Sequence, residues 1–330
     1  MNKKLIALAV AAGMAAPIAA QAEITTYAHV QFEVTDTDVD GSDSTTRVTD
    51  NQRGRFGVKG GHDLGGGLKS FAVAEFDFEG GANDAEFGNN SNGNARAAFR
   101  VREINAGLKG GFGKIALGTI RSAYKYAGGV KYDPFVTTQL EARGVGMEGG
   151  ADGHNAFLNN GFAYSNKFGM AKLAVTYSLD DTDRDADGNG DDGEMSAALT
   201  FGNKKWEAGI AMYDEGNSVS AGSQENMKLF GKMKFGAHTV LGQYEDNDTG
   251  NGGDREYIWL GYQLKMGKGM LNAQYATFDA TGANDHDMMT VGYIHKFNKK
   301  TRVFAGYQTV DFDAANSDTD QISFGVRVDI

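Results

Sequence analysis

Apolar and polar residues alternate with a period of two along most of the chain, from residue 23 to the last residue, Ile330. Successive side chains of a β-strand point to opposite faces, so each alternating segment predicts a strand whose two faces meet different surroundings. The last segment places five apolar residues on one face: Ile322, Phe324, Val326, Val328 and Ile330. Small, polar or charged residues occupy its other face: Ser323, Gly325, Arg327 and Asp329.

We predict sixteen such strands, many of them close to the ~9–11 residues with which a tilted strand crosses a bilayer. They cover residues 23–35, 50–61, 67–79, 95–110, 113–120, 160–168, 170–180, 194–202, 204–213, 225–235, 237–247, 254–266, 269–279, 286–297, 299–312 and 319–330. Short glycine-rich turns alternate with longer loops rich in Asp, Asn and Gly, as in a meander across a membrane. The sequence therefore predicts an all-β fold, a 16-stranded antiparallel transmembrane β-barrel with both chain ends on the periplasmic side.

Composition agrees with a closed barrel and excludes other classes. Proline occurs only twice, which fits a closed barrel because every backbone N–H of its strands needs a hydrogen-bond partner. Cysteine is absent, which excludes disulfides and sites that use a thiolate. A net charge of −11 argues against nucleic acid as a partner. A soluble β-sandwich or β-helix is the alternative. The uninterrupted meander, the consistently apolar face and the aromatic residues near strand ends favour the barrel over it.

Residues 1–22 have the features of a secretory signal peptide. Lys3 and Lys4 precede an apolar stretch from Leu5 to Ala20, and Ala20-Gln21-Ala22 fits the cleavage pattern. We expect a mature chain of residues 23–330 that forms a single barrel domain. Without the two lysines, 30 basic residues face 43 acidic ones, a net charge of −13.

Basic residues concentrate on the polar face of two neighbouring strands. Charge facing lipid costs about 2–4 kcal/mol per arginine at the bilayer midplane, so these side chains are expected to line the lumen. The candidates for a basic pore wall are Arg53, Arg55, Lys59, Arg96, Arg100 and Arg102. Two alternatives stay open: some of them lie near the rim, or they neutralise the inward acids Glu75 and Asp77.

The segment 121–160 is the longest stretch without alternation, and it contains Pro134, the only proline after residue 22. Loops longer than ~12–15 residues are usually functional or disordered, and the apolar residues of this one argue against disorder. If the segment folds inward, its acids would face the arginines across a narrowed lumen and select solutes by charge and size. These candidate constriction acids are Asp133, Glu141, Glu148 and Asp152.

Two runs of sequence resemble the Gram-negative general diffusion porins. The run 51–60, followed by Asp63–Lys69 and by Glu75-Phe76, is similar to the second hairpin of that family, and 107–118 is similar to the stretch before its pore-folding third loop. The resemblance implies a trimer of sixteen-stranded barrels with loop three constricting each pore. Ile330 departs from the usual terminal phenylalanine. The apolar alternation persists, so we expect recognition by the barrel-assembly machinery to be altered in strength and not lost.

A second motif fits the calcium-loop spacing D-x-D-x-D-G-x5-E. Its candidate ligands are Asp183, Asp185, Asp187, Asn189 and Glu194. The loop joins strands instead of helices, so a solvated acidic loop is the alternative. We expect no obligatory cofactor, with calcium as an optional ligand of residues 183–194.

The function that these patterns favour is passive diffusion of small hydrophilic solutes and ions across the bacterial outer membrane. A substrate-selective channel and a barrel that serves adhesion through acidic loops are the alternatives. No G-x-S-x-G or H-E-x-x-H motif occurs, so we expect no enzyme. The expected partners are outer-membrane lipid and lipopolysaccharide, two further copies in a homotrimer, and the assembly machinery through the C-terminal strand. The net charge of −13 on the mature chain weakly favours permeation by cations.

Overall fold

The structure is a computed structural model, and it describes residues 23–50, 54–78, 99–147, 156–179, 193–216, 224–248, 253–281, 285–314 and 317–330. Seventeen strands account for most of them. Their bounds are β1 Glu23–Val39, β2 Thr45–Thr49, β3 Gly54–Gly65, β4 Leu68–Phe78, β5 Phe99–Gly110, β6 Gly113–Arg121, β7 Phe157–Phe168, β8 Ala171–Ser178, β9 Met195–Gly202, β10 Trp206–Asp214, β11 Glu225–Phe235, β12 His238–Asp248, β13 Asp254–Met266, β14 Gly269–Ala280, β15 His286–Lys296, β16 Thr301–Phe312 and β17 Thr319–Asp329.

The strands form one closed antiparallel ring. Each strand from β3 onward pairs with the next, and the ring closes where β1 pairs with β17, from His29 opposite Asp329 to Val39 opposite Thr319. The predicted 16-stranded barrel is confirmed, because β2 and β3 share one position: β2 pairs with the second half of β1 and β3 with its first half.

The single strand predicted at 50–61 is therefore replaced by two strands, β2 and β3. The chain already pairs with β1 at 45–49, where Thr45, Thr46, Val48 and Thr49 favour extended backbone, and it pairs again from Gly54. β1 is correspondingly longer than predicted and ends at Val39 instead of residue 35. One barrel position thus contains two strand segments.

The two faces of the ring have opposite character. In β17, Ile322 and Phe324 are 60% and 57% exposed, whereas Gln321 and Ser323 are buried. Other strands repeat this arrangement, with apolar side chains outward and polar side chains on the enclosed face. Among the described residues, no helix combines the length and the apolar character needed to cross a membrane.

Seven turns of two to four residues follow β3, β5, β7, β9, β11, β13 and β15, and all seven lie at one end of the ring. We call this the short-turn end. Both chain ends of the described barrel lie there, since Glu23 is opposite Gly61 and the Ile330 amide donates to the Ala28 carbonyl at 2.8 Å. Gly66 and Gly67 form the first of these turns with φ of 60° and 81°, a backbone that glycine adopts without strain.

Buried apolar residues lie mainly between the enclosed face and the 122–147 segment, which follows β6. Tyr124, Tyr132 and Met147 from the segment join Trp259 and Met288 from the wall in one cluster. Phe135 and Leu140 pack with Ile294 and Phe304 in a second. These two clusters join the segment to residues of the wall strands.

Candidate functional site

The 122–147 segment begins directly after β6 and contains two short 3-10 turns, Gly129–Lys131 and Ala142–Val145. It is attached from its first residues, because the Ala123 amide donates to Ser196 Oγ of β9 at 2.9 Å. Tyr124 reaches β12, where its hydroxyl donates to Glu245 Oε2 at 3.2 Å. Contacts therefore fix the segment to the enclosed face well beyond the strands that flank it in sequence.

Glutamine side chains on distant strands bind the middle of the segment. Gln274 Nε2 of β14 donates to Asp133 Oδ1 at 2.9 Å, and Gln308 Nε2 of β16 donates to the Leu140 carbonyl at 3.1 Å. Gln321 Nε2 of β17 donates to the Gln139 carbonyl at 2.8 Å. These glutamines were not among the residues predicted from the sequence, although their mid-strand position on the polar face was a usable signal.

A pair of glycines lets the segment approach the wall closely. Gly292 of β15 lies directly opposite Gly306 of β16. A Cβ added to Gly292 would stand 2.6 Å from the Phe135 ring, and one added to Gly306 would stand 2.7 Å from Leu140 Cδ1. The absence of side chains at these two positions therefore creates the space that Phe135 and Leu140 fill.

Asp133 organises the segment from within. Its carboxylate accepts hydrogen bonds from the Phe135 amide at 2.8 Å, the Ala142 amide at 2.9 Å and Gln274. It is only 3% exposed, and burial raises the pKa of Asp133 to about 6 even though these donors favour the charged form. This burial differs from the expectation of a carboxylate facing the lumen. Glu141 is also buried, and its Oε2 accepts from the Thr137 amide at 2.8 Å.

Four arginines and three carboxylates form an ion-paired cluster on the enclosed face of β3 to β6. Its members are Arg55, Arg100, Arg102, Arg121, Glu75, Asp77 and Glu103. Asp77 lies 3.0 Å from Arg100 and 3.7 Å from Arg55. Glu75 lies 3.1 Å from Arg102 and 3.2 Å from Arg121. The three predicted arginines that the structure describes, Arg55, Arg100 and Arg102, therefore pair with Glu75 and Asp77 of their own wall, as one of the alternatives anticipated.

The accessible part of this cluster is limited to two arginines. The side chains of Arg100 and Arg121 are 43% and 39% exposed, whereas those of Arg55 and Arg102 are 5% and 13% exposed. Lys59 lies beside the cluster, with its Nζ 5.4 Å from the centre of the Tyr27 ring. Arg100 and Arg121 are thus the two guanidinium groups of the cluster that are most accessible to solvent.

A β-bulge explains why sequence analysis missed Glu103. The register between β4 and β5 shifts between Glu75 and Phe76, so that Val101 lies opposite Phe76 and Glu103 lies opposite Glu75. Strict alternation would place Glu103 on the outer face with Val101. The extra residue in the bulge instead lets Arg102 and Glu103 both join the ion-paired cluster.

Beside the cluster, a cavity of about 680 Å³ has a strongly basic lining. Six cationic side chains line it: Lys109, Lys114, Arg121, Lys131, Lys167 and Lys172. Glu103 is the one carboxylate among the described lining residues. Burial lowers the pKa of Lys131, and Lys114 Nζ lies 4.4 Å from the centre of the Phe71 ring. Local charge here is positive although the whole chain is acidic.

Several predicted site residues lie outside the described residues. This applies to Arg53, Arg96, Glu148, Asp152 and the signal peptide 1–22. It also applies to four of the candidate calcium ligands: Asp183, Asp185, Asp187 and Asn189. Glu194 is described and partly buried, and its backbone carbonyl accepts from the Ser178 amide at 2.8 Å. Among the described residues, no three His, Asp or Glu side chains form a metal-binding group.

Comparison of sequences identifies related proteins. A family model described as Gram-negative porin matches residues 7–315. The major outer membrane protein P.IB of Neisseria meningitidis serogroup A is 32% identical over 137 residues, which cover 39% of this chain and 37% of the relative. The chain thus spans little more than a third of the curated relatives' length in these matches.

Comparison of structures covers more of the chain. An anion-selective porin from Comamonas acidovorans is similar with a TM-score of 0.76 and 21% identity, covering 94% of this chain and all of that one. The trimer form of OmpT from Vibrio cholerae is similar with a TM-score of 0.68 and 14% identity over 94% of this chain and 99% of its own. At these identities the likeness establishes the fold.

Proposed function

Because the chain belongs to the Gram-negative porin family, we propose that it forms a water-filled channel through which small hydrophilic solutes and ions diffuse passively. It is a protein of the bacterial outer membrane. The observation that carries the proposal is the closed ring with an apolar outer face and a polar, partly filled interior. A diffusion channel needs no catalytic group, and we propose no enzymatic activity.

We propose that the 122–147 segment folds into the lumen and narrows it. Support comes from its contacts with strands on different sides of the ring, among them β1, β9, β12, β14 and β16. A segment that touches the enclosed face at so many positions fits inside the ring more readily than outside it. The open cross-section then lies between the segment and the arginines of β3 to β6.

We further propose that the channel prefers anions. The ion-paired cluster contains four arginines but three carboxylates, and the adjacent cavity is lined by five further cations besides Arg121. Ions in a narrow lumen respond to charges within about a Debye length, ~8–10 Å, and not to the net charge of the chain. We therefore do not propose the weak cation preference that the net charge of the mature chain indicated. The anion-selective Comamonas porin, a relative in fold, points in the same direction.

Single-channel recording in planar bilayers tests these proposals together. We expect stepwise conductance and, under a KCl gradient, a reversal potential of the sign given by chloride permeation. Absence of stepwise conductance would contradict the proposal that the protein forms a channel. A reversal potential with the sign expected for potassium permeation would contradict only the proposed preference for anions. Saturation of conductance by a single sugar would favour a substrate-selective channel.

We propose a homotrimer as the assembled state, supported by the fold shared with a trimeric porin. Outer-membrane lipid and lipopolysaccharide would surround the apolar face, and β17 would engage the assembly machinery. Crosslinking of the protein in native outer membranes, followed by denaturing electrophoresis, is expected to give a three-subunit band. Mass spectrometry of the same preparation tests whether signal-peptide cleavage leaves Glu23 as the first residue.

Calcium binding by residues 183–194 remains a separate proposal, supported by the spacing of the acidic residues. Isothermal titration of the whole protein with calcium should give a saturable signal that Asp185→Asn weakens. A signal unchanged by this substitution, or none at all, would reject the site.

A further inference from the structure

A second basic cavity lies at the short-turn end of the ring, away from the ion-paired cluster. Its volume is about 660 Å³, within the range of small-molecule sites. Five cationic side chains and one carboxylate are among its lining residues: Lys265, Lys268, Lys296, Lys299, Arg302 and Asp329. The carboxylate is already engaged, because Asp329 Oδ1 accepts from Arg327 Nε at 2.8 Å.

Three cations lie directly opposite one another on adjacent strands, and two of them, Lys296 and Arg302, line this cavity. Lys296 of β15 is directly opposite Arg302 of β16, which is directly opposite Arg327 of β17. They are on the enclosed face, because Ile294 and Phe304, two residues away on the same strands, pack on the 122–147 segment. Like charges placed directly opposite one another destabilise a sheet. Asp329 Oδ1 lies 2.8 Å from Arg327 Nε and compensates that charge, so the unfavourable pair in this row is Lys296 and Arg302.

Arg302 provides an independent sign of a missing partner. Its Nε is buried and has no hydrogen-bond partner among the described residues. A buried donor without an acceptor loses hydration and gains nothing in return. The arginine fork presents its N–H groups in the geometry that matches a carboxylate or phosphate.

We propose that this cavity binds a small oxyanion with two or more negative charges, of which inorganic phosphate is the simplest. Such an anion would accept from Arg302, neutralise the repulsion within the row and contact Lys296 at its edge. A monovalent ion such as chloride would meet the same cations with less charge and fewer acceptor sites. The site lies on the wall of the proposed channel, but binding itself does not depend on conduction.

The test is calorimetric titration of the full-length protein in detergent with inorganic phosphate, at constant ionic strength set with chloride. We expect saturable binding that weakens about tenfold in Arg302→Gln, the loss of one charge-assisted contact. Lys296→Gln should weaken binding as well. Lys204→Gln removes an exposed charge from another short turn, and we expect it to leave phosphate affinity unchanged.

Thermal unfolding separates loss of the site from loss of the fold. At equal concentration, phosphate should raise the unfolding temperature of the unmodified protein more than that of Arg302→Gln. The phosphate-free barrel of Arg302→Gln should be at least as stable, because one repelling charge is gone. If Arg302→Gln does not fold, the phosphate affinity of Lys296→Gln tests the proposal instead, because Lys296 is exposed and its substitution should not disturb folding. No saturable phosphate binding, or equal affinity in both variants and the unmodified protein, would overturn the proposal. Single-channel conductance would persist in that case, so the two failures are distinguishable.

Discussion

Single residues within the 122–147 segment control how firmly it is held. Asp133 joins two parts of the segment and one wall strand through three accepted hydrogen bonds. Its pKa of about 6 lies above the ordinary value of 3.8 because burial disfavours the charged form. The folded segment therefore takes up a proton at Asp133 at a higher pH than the unfolded chain does.

The sign of the resulting pH dependence follows from linkage. Because the folded pKa is raised, this contribution to stability is fully present below the ordinary value and is lost as pH rises through about 6. The loss amounts to about 3 kcal/mol at most. We expect the protection of the Phe135 and Ala142 amides from hydrogen exchange, corrected for intrinsic rates, to fall over this range. Asp133→Asn cannot titrate and should show no such fall; an equal fall in both proteins would contradict the assignment.

Elements of the wall are shaped to receive the segment. Phe135 is fully buried and fills the space above Gly292. Truncation of a buried phenylalanine costs about 3–5 kcal/mol. We expect Phe135→Ala to loosen the segment, to raise its cleavage by added protease and to increase single-channel conductance. Phe56→Ala removes the same ring from the exposed outer face and serves as the matched control. Equal effects of the two substitutions would argue against a constricting segment.

A side chain added to β15 would fill part of the space that Phe135 occupies. A methyl group at Gly292 would meet both the Phe135 ring and the Ala305 carbonyl at 2.6 Å. Gly292→Ala should therefore displace the segment and reproduce the conductance change of Phe135→Ala. A Gly231→Ala control is useful, because a Cβ there would approach the Glu207 carbonyl only to 3.4 Å. Unchanged conductance in a folded Gly292→Ala barrel would show that the fit is not required.

For the whole molecule, the placement of charge is more informative than its sum. Lys109, Lys114 and Lys167 line the basic cavity. Replacing all three by glutamine should shift the reversal potential in a KCl gradient towards the potassium sign, because the lumen would lose three positive charges. The matched control replaces the exposed turn residues Lys204, Lys205 and Lys300. If both triple variants shift the potential equally, net charge and not the lumen lining sets the preference.

Much of the architecture was predictable from sequence, whereas the partners of the site residues were not. Alternation and the near-absence of proline identify the strands, and they place Arg55 and Arg100 on the enclosed face. They do not reveal the bulge that brings Glu103 inward, because one inserted residue reverses the alternation without a distinctive residue type. The contact between Asp133 and Gln274 joins positions 141 residues apart, beyond the reach of any local pattern.

By itself, the sequence determined that this chain is a barrel with apolar side chains outward and basic side chains inward, since these properties repeat every two residues. Only the tertiary structure decided which charges neutralise one another. Arginines expected to oppose loop acids pair with Glu75 and Asp77 on neighbouring strands, and Asp133 is buried. Six cationic side chains line one cavity and five line another. The physical reason is that electrostatic interactions depend on distance in space, and strand register sets that distance.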